Sequence, residues 1–188
     1  MSDILEVIDT RSSIRAYADQ ELDSEQLKAL VGAALKAPTA ANKQEFHVSV
    51  VWKGNPVLTE IENEKRRLQA ANVSDEQRKQ DILNAPNNFY YDAPVVLFIS
   101  ADKDFYWSKL DAGIVVENVH LAAHGLGLGS LIIGCVNGAL SQEKKQYFAE
   151  KLSFPENYDF AIAIAIGYPT TTKTPHTYDE QKLVSYVN

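Results

Sequence analysis

The order of apolar and polar positions along the 188-residue chain divides it into helices and strands before any chemistry is considered. Ile4, Leu5 and Ile8 recur at helical spacing and predict a short amphipathic helix that delivers the chain to Arg11. Asp23 and Gln26 have the spacing of a capping box. Behind them Leu27, Leu30, Val31, Ala34 and Leu35 fall on one face of a helix that Pro38 stops. Residues 46–51 alternate and predict a strand with one buried face, whereas Val95, Val96, Leu97, Phe98 and Ile99 run together as in an interior strand. From about Lys109 to Gly125 the helical pattern is apolar on nearly every side, which places that helix in the core or against another subunit. Leu131–Ile133 predicts a third strand, and Ser141 is expected to cap a helix carrying Tyr147, Phe148 and Leu152. Residues 160–166 form the clearest strand, with large side chains on one face and alanines on the other, so that something packs close on the alanine face. Residues 183–187 are amphipathic enough for a last strand, one that a partner could take up.

One stretch breaks this pattern. Residues 60–80 are rich in Glu, Lys, Arg and Gln, are interrupted at Asn72, and restart at Ser74-Asp75-Glu76-Gln77 with a second capping box. Aromatics at 89–91 end the excursion after Pro86-Asn87-Asn88. We read two surface helices and a connecting loop that caps a site. The length suits one packed domain, and the composition shows no shift that would divide it. The net charge of −7 argues against non-specific binding to nucleic acid or to an anionic membrane. The single cysteine, Cys135, excludes an intramolecular disulfide and predicts a cytoplasmic protein. The start Met1-Ser2-Asp3-Ile4-Leu5-Glu6 lacks the basic and apolar regions of a signal peptide, and no run is long enough for a membrane span.

Against that acidic background, Arg11-Ser12-Ser13-Ile14-Arg15 places two guanidiniums and two hydroxyls within five residues. Arginine forks and hydroxyls are the donors that a phosphate needs, although two exposed arginines in a turn would read the same way. Residues 38–44 (Pro-Thr-Ala-Ala-Asn-Lys-Gln) end one helix and lead into a strand. The amides of Asn42 and Gln44 present donor and acceptor together, which suits the edge of a heterocycle, but such residues are also ordinary turn formers. Together the two segments suggest a nucleotide-like cofactor. His120 and His124 stand four apart on the buried helix and read as structural histidines ahead of a metal pair, since only Asp111 and Glu117 accompany them. The glycines at 125, 127 and 129 follow a helix and precede a strand. That order is the reverse of a dinucleotide-binding fingerprint and fits a helix C-cap. Nothing marks Cys135 as a nucleophile.

The runs Arg11-Ser-Ser-Ile-Arg-Ala-Tyr17 and Ala37-Pro-Thr-Ala-Ala-Asn-Lys-Gln-Glu-Phe46 resemble the two N-terminal motifs of the nitroreductase-like FMN flavoproteins. The resemblance continues through residues 92–97, 111–130 and 164–169, in order and in register. It implies an α+β fold with a central mixed β-sheet flanked by helices, one domain over 1–188, and a variable cap at 60–91. It also implies an intertwined homodimer with FMN at the interface. On this resemblance Arg11, Ser12, Ser13 and Arg15 hold the phosphate and the nearby flavin edge. Pro38, Thr39, Asn42 and Gln44 of the partner subunit would contact the ring, and Ile133-Gly134 would pass its reactive side. The implied activity is a ping-pong transfer of hydride from NADH or NADPH to a nitroaromatic, quinone or similar acceptor, with the flavin carrying the chemistry. A specialised dehydrogenase or dehalogenase, or a non-catalytic flavin binder, would carry the same motifs. Three positions depart from the family pattern. Only Lys173 or His176 stands where an arginine or lysine usually reaches the phosphate, Glu45 replaces a common proline, and Phe46 a common tryptophan.

Overall fold

The computed structural model describes residues 3–86 and 88–187, so Met1, Ser2, Asn87 and Asn188 lie outside the described residues. The expected features at Met1-Ser2 and at Asn87 of the 86–88 turn lie outside the described residues. Four strands, β1 (Phe46–Trp52), β2 (Val95–Asp102), β3 (Gly129–Ile133) and β4 (Tyr158–Gly167), form one sheet in the order β1-β2-β4-β3. All three strand pairs are antiparallel. The Arg11–Tyr17 segment adds a parallel bridge, Ser13 to Ser130, on the outer side of β3, and an antiparallel one, Tyr17 to Pro169.

Helices cover both faces, which is why β2 reads as an unbroken apolar run. On one side Val95, Leu97 and Ile99, with Ile164 and Ile166 of β4, meet α2 (Ser24–Leu35) and α5 (Ser108–Gly125). On the other, Val96 and Phe98 with Ala163 and Ala165 meet α3 (Pro56–Ala71), α6 (Asn137–Ser141) and α7 (Lys145–Lys151). The alternation of large and small residues on β4 holds from Ile162 onward. A bulge then pairs Ile99 with Ile162 but Ser100 with Phe160, which carries the Phe160 ring onto the alanine face. There it lies 6.2 Å from Phe98.

α1 (Ile4–Thr10) and α2 form where expected, and the Asp23–Gln26 capping box is present in both directions. Two expectations need correction. Asp75, not Ser74, caps α4 (Glu76–Asn84), accepting from the Arg78 N–H, and the expected reciprocal box is replaced by this single cap. Ser141 ends α6 and donates to Asn137 O, leaving α7 without a side-chain cap. The tail differs as well. Glu180–Leu183 is a helical turn, α8, and residues 184–187 are exposed and pair with no strand among the described residues.

The polar excursion is α3, α4 and the loop to Tyr91, and two side chains one turn apart on α3 fasten it. Glu62 accepts from the Phe89 N–H at 2.6 Å. Arg66 donates to Ile82 O at 3.3 Å and to Pro86 O, and lies over the Phe89 ring at 5.1 Å. Arg66→Ala removes these three Arg66 contacts together and leaves the Glu62 bond, and we expect a loss of roughly 1–2 kcal/mol of stability. Amide exchange should then rise within residues 82–91; unchanged protection there would show that the segment is held by other contacts.

Candidate functional site

Arg11 follows directly on α1, and its segment is zipped into place by backbone bonds: Ile14 N–H to Ser130 O, Ala18 N–H to Tyr168 O, and Thr170 N–H to Ala16 O. Gly129 makes this approach possible, because a Cβ there would stand 3.0 Å from the Cβ of Ile14. Gly127, with φ of 74°, supplies the left-handed residue that closes α5 and turns the chain into β3.

The segment presents its polar groups to two places. Arg11 Nη1 donates to His120 Nε2 at 2.7 Å, and Arg11 Nε lies 3.9 Å from a Glu117 carboxylate oxygen. Ser12 faces a cleft of about 220 Å³ that it shares with Thr10, His124, Gly129, Thr172 and Lys173. The Ser12 hydroxyl is buried and has no hydrogen-bond partner among the described residues. Buried polar atoms are rarely left so, and a serine on the wall of a cleft that also holds a lysine fits an anion such as a phosphate. Ser13 takes part in the bridge to Ser130, and Arg15 is exposed.

His120 and His124 use their rings in hydrogen bonds. Arg11 can only donate, so His120 Nε2 accepts and its Nδ1–H donates to Ser130 Oγ. Thr10 Oγ1 donates to Glu6 O at 2.6 Å, so the 2.8 Å contact with His124 Nε2 is donated by the imidazole. Burial, with the Arg11 charge second and His124 third, pushes His120 down from 6.5 to about 4. An unfolded chain would take up this proton as pH falls below about 6.5, while the folded chain resists until about 4. The ring's contribution to stability is therefore complete above the upper value and is lost as pH falls through that window. We expect the melting temperature to fall between pH 7 and 5, with a shallower slope in His120→Gln. An equal slope in that variant would assign the effect to other groups.

The amide loop is anchored at the opposite end of α5. Pro38 is exposed, and Thr39 precedes a 3-10 turn over Ala40–Asn42. Thr39 Oγ1 accepts from the Gln44 N–H at 3.0 Å, and Gln44 Nε2 donates to Asn42 Oδ1 at 3.0 Å. Both amide side chains are exposed. Ala41, Asn42 and Gln44 have φ values of 52°, 53° and 56°, a left-handed run that non-glycine residues adopt at a cost of roughly 1–3 kcal/mol each. What holds it is Asp111, 2% exposed on α5, whose carboxylate oxygens lie 3.1 and 3.2 Å from the Ala40 N–H. Glu45, just beyond, accepts from the Tyr158 hydroxyl at 2.8 Å.

Ile133 is buried at the end of β3, and Gly134 begins the exposed turn into α6. A Cβ on Gly134 would meet nothing closer than Ile162 Cδ1 at 3.6 Å, so packing within the protomer does not require glycine there. Within one protomer Ser12 and Lys173 thus share a cleft, with Arg11 and Ser13 flanking it in sequence. The 38–44 loop is nine residues of α5 away from the His120 level, roughly 13 Å along the axis. Asp111 and His120 were legible only as polar positions on an otherwise apolar helix. That pattern signals a partner without naming it.

These features define an α+β protein with a cationic, hydroxyl-lined pocket and a separate amide loop. Residues 8–168 match the nitroreductase family, and the chain belongs to that family. It is similar to a nitroreductase with bound FMN from Desulfitobacterium hafniense, at 30% identity and a TM-score of 0.85 over 100% of both chains. An FMN-dependent nitroreductase from Clostridium difficile is 28% identical, with a TM-score of 0.78 over 99% of each chain. The FMN reductase (NAD(P)H) of Bacillus subtilis is 27% identical over 90% of this chain and 67% of its own length.

Proposed function

We propose that this protein is an FMN-dependent oxidoreductase that takes hydride from NADH or NADPH and passes it to a nitroaromatic, quinone or similar flat acceptor in a ping-pong cycle. The observation that carries this reading is the buried Ser12 hydroxyl, unpartnered among the described residues, on the wall of a cleft with Lys173, in a chain similar to a nitroreductase with bound FMN. When bound, FMN supplies the hydride acceptor and donor. Arg11, Ser12, Ser13 and Lys173 hold its phosphate. Arg15, exposed beside them, sets positive charge toward the pyrimidine edge, where negative charge accumulates on reduction. Thr39, Asn42 and Gln44 offer their amides and hydroxyl to the ring edge from a second copy of the chain. Ile133-Gly134 passes the reactive side, where the missing side chain of Gly134 leaves room for the acceptor.

A homodimer is supported by the apolar surface that one protomer leaves bare. Ile4, Leu5, Ile8, Leu35 and Leu110 are all exposed, and a groove of about 380 Å³ opens between α1, α2 and α5. The pairless tail beyond Val184 suits an arm laid on the second copy. The single-domain reading, with residues 60–91 as a cap over the acceptor, completes this proposal.

The purified protein should be yellow and release FMN on denaturation. Anaerobic NADH or NADPH should bleach it, and a nitroaromatic or quinone should restore the colour. Colourless protein that also fails to bind added FMN would overturn the reading, as would FMN that neither nucleotide reduces. Sedimentation should give twice the protomer mass of 20.9 kDa.

A further inference from the structure

We infer that His120 is a positioning residue for the cofactor phosphate: it aims the Arg11 guanidinium through an imidazole held on its other side by Ser130. The inference rests on the FMN reading above and concerns residues that need not touch FMN.

The geometry is a three-member chain running from β3 through α5 to the anion-binding segment. Ser130 is 3% exposed, and its backbone carbonyl already fixes Ile14 at 3.0 Å, three residues beyond Arg11. Its hydroxyl lies within hydrogen-bond distance of His120 Nδ1, on a ring that is 2% exposed. The ring's other nitrogen accepts from Arg11 Nη1 at 2.7 Å. A guanidinium has no acceptor, so this bond exists only for the neutral ring carrying its proton on Nδ1. Arg11 therefore selects the tautomer, and the Ser130 oxygen accepts the Nδ1 proton and holds the ring in place. Arg11 is therefore oriented by a ring that cannot rotate without leaving two buried nitrogens unpaired. The Nη2 group has no hydrogen-bond partner among the described residues. Glu117 at 3.9 Å is half-exposed and too distant for a hydrogen bond, so the aim of the guanidinium falls to His120.

Two amide replacements separate the ring's two bonds. Gln sets its amide near Nε2 and can keep the acceptor for Arg11. Asn sets its amide near Nδ1, keeping the bond to Ser130 and losing the one to Arg11. Dissociation constants are read from FMN fluorescence on dilution of the loaded protein, and the same titration is run with riboflavin, which lacks the phosphate. We expect His120→Asn to weaken FMN by about 10- to 100-fold while riboflavin changes little. His120→Gln should stay within about fivefold of wild type, and Arg11→Ala/His120→Asn should be little weaker than Arg11→Ala alone, because the two act as a unit. Ser130→Ala, which removes the tautomer's acceptor with a minimal change of volume, should lower the FMN-to-riboflavin affinity ratio in the same direction. It serves as the test if His120→Asn does not fold. In wild type, nitrogen NMR of the histidines should show one ring protonated at Nδ1. Equal losses for FMN and riboflavin would mean simple packing and would overturn the inference. So would an unchanged ratio in both His120→Asn and Ser130→Ala. Wild-type protein that binds no FMN defeats the functional reading itself, a result distinct from either of these.

Discussion

Replacing Arg11 with alanine is expected to weaken FMN binding by about two orders of magnitude while leaving the fold in place. A hydrogen bond to a charged group contributes roughly 1.5–3 kcal/mol, and about 1.4 kcal/mol corresponds to a factor of ten in affinity. Two features push the effect toward the upper end. Lys173 is the one lysine or arginine among the described residues that line the cleft, so on the proposed reading Arg11, flanking the cleft in sequence, carries much of the phosphate's charge. The substitution also removes the hydrogen bond to His120 Nε2, on a ring that is 2% exposed. Arg11→Lys should recover only part of the loss, because an ammonium cannot donate to His120 and to the phosphate in the planar geometry of a guanidinium. Titration of FMN and riboflavin against both variants is the measurement. An FMN affinity equal to wild type in Arg11→Ala would remove this residue from the phosphate site and return the burden to Lys173.

The two segments proposed to form the site could be read in the sequence because each is local. The arginines and hydroxyls of residues 11–15 are consecutive, and the amide loop lies between a proline that ends α2 and a strand that starts at Phe46. What could not be read are the contacts between distant residues: His120 reaches Arg11 across 109 positions, and Asp111 reaches Ala40 across 71. Periodicity shows that these polar residues sit on a buried helix, but not which atom satisfies them. The same division runs through the fold. Strands β2 and β4 follow from their apolar runs, while the bulge that moves Phe160 to the alanine face depends on register with another strand and has no local signature. Ser141 was misassigned because a serine hydroxyl bonds back to a carbonyl four residues earlier as readily as it caps a following helix. The tail's amphipathic pattern is real, but a strand needs a partner, and within one protomer it has none.

Asp111→Ala is expected to have the largest effect on stability and to act on the ring-binding half of the site without touching it. The carboxylate is 2% exposed and holds the Ala40 N–H with both oxygens, at the start of a loop containing three left-handed non-glycine residues. Removing it leaves the Ala40 N–H without its acceptor, opens a small cavity, and releases the constraint that offsets the backbone strain. These together come to roughly 2–4 kcal/mol, a fall in melting temperature of about 4–16 °C for a chain of this size. The carboxylate also stands in the first turn of α5, where its charge favours the helix N-terminus. Asp111→Asn keeps one oxygen acceptor and should therefore lose about half as much. Exchange of the amides at residues 39–44 should accelerate more than elsewhere, and flavin affinity should fall for FMN and riboflavin alike, because in the proposed site this loop addresses the ring and not the phosphate. That shared loss separates Asp111 from Arg11, whose removal discriminates between the two ligands. Wild-type melting and unchanged exchange at 39–44 in Asp111→Ala would show that the loop keeps its left-handed run by its own Thr39–Gln44 and Asn42–Gln44 bonds.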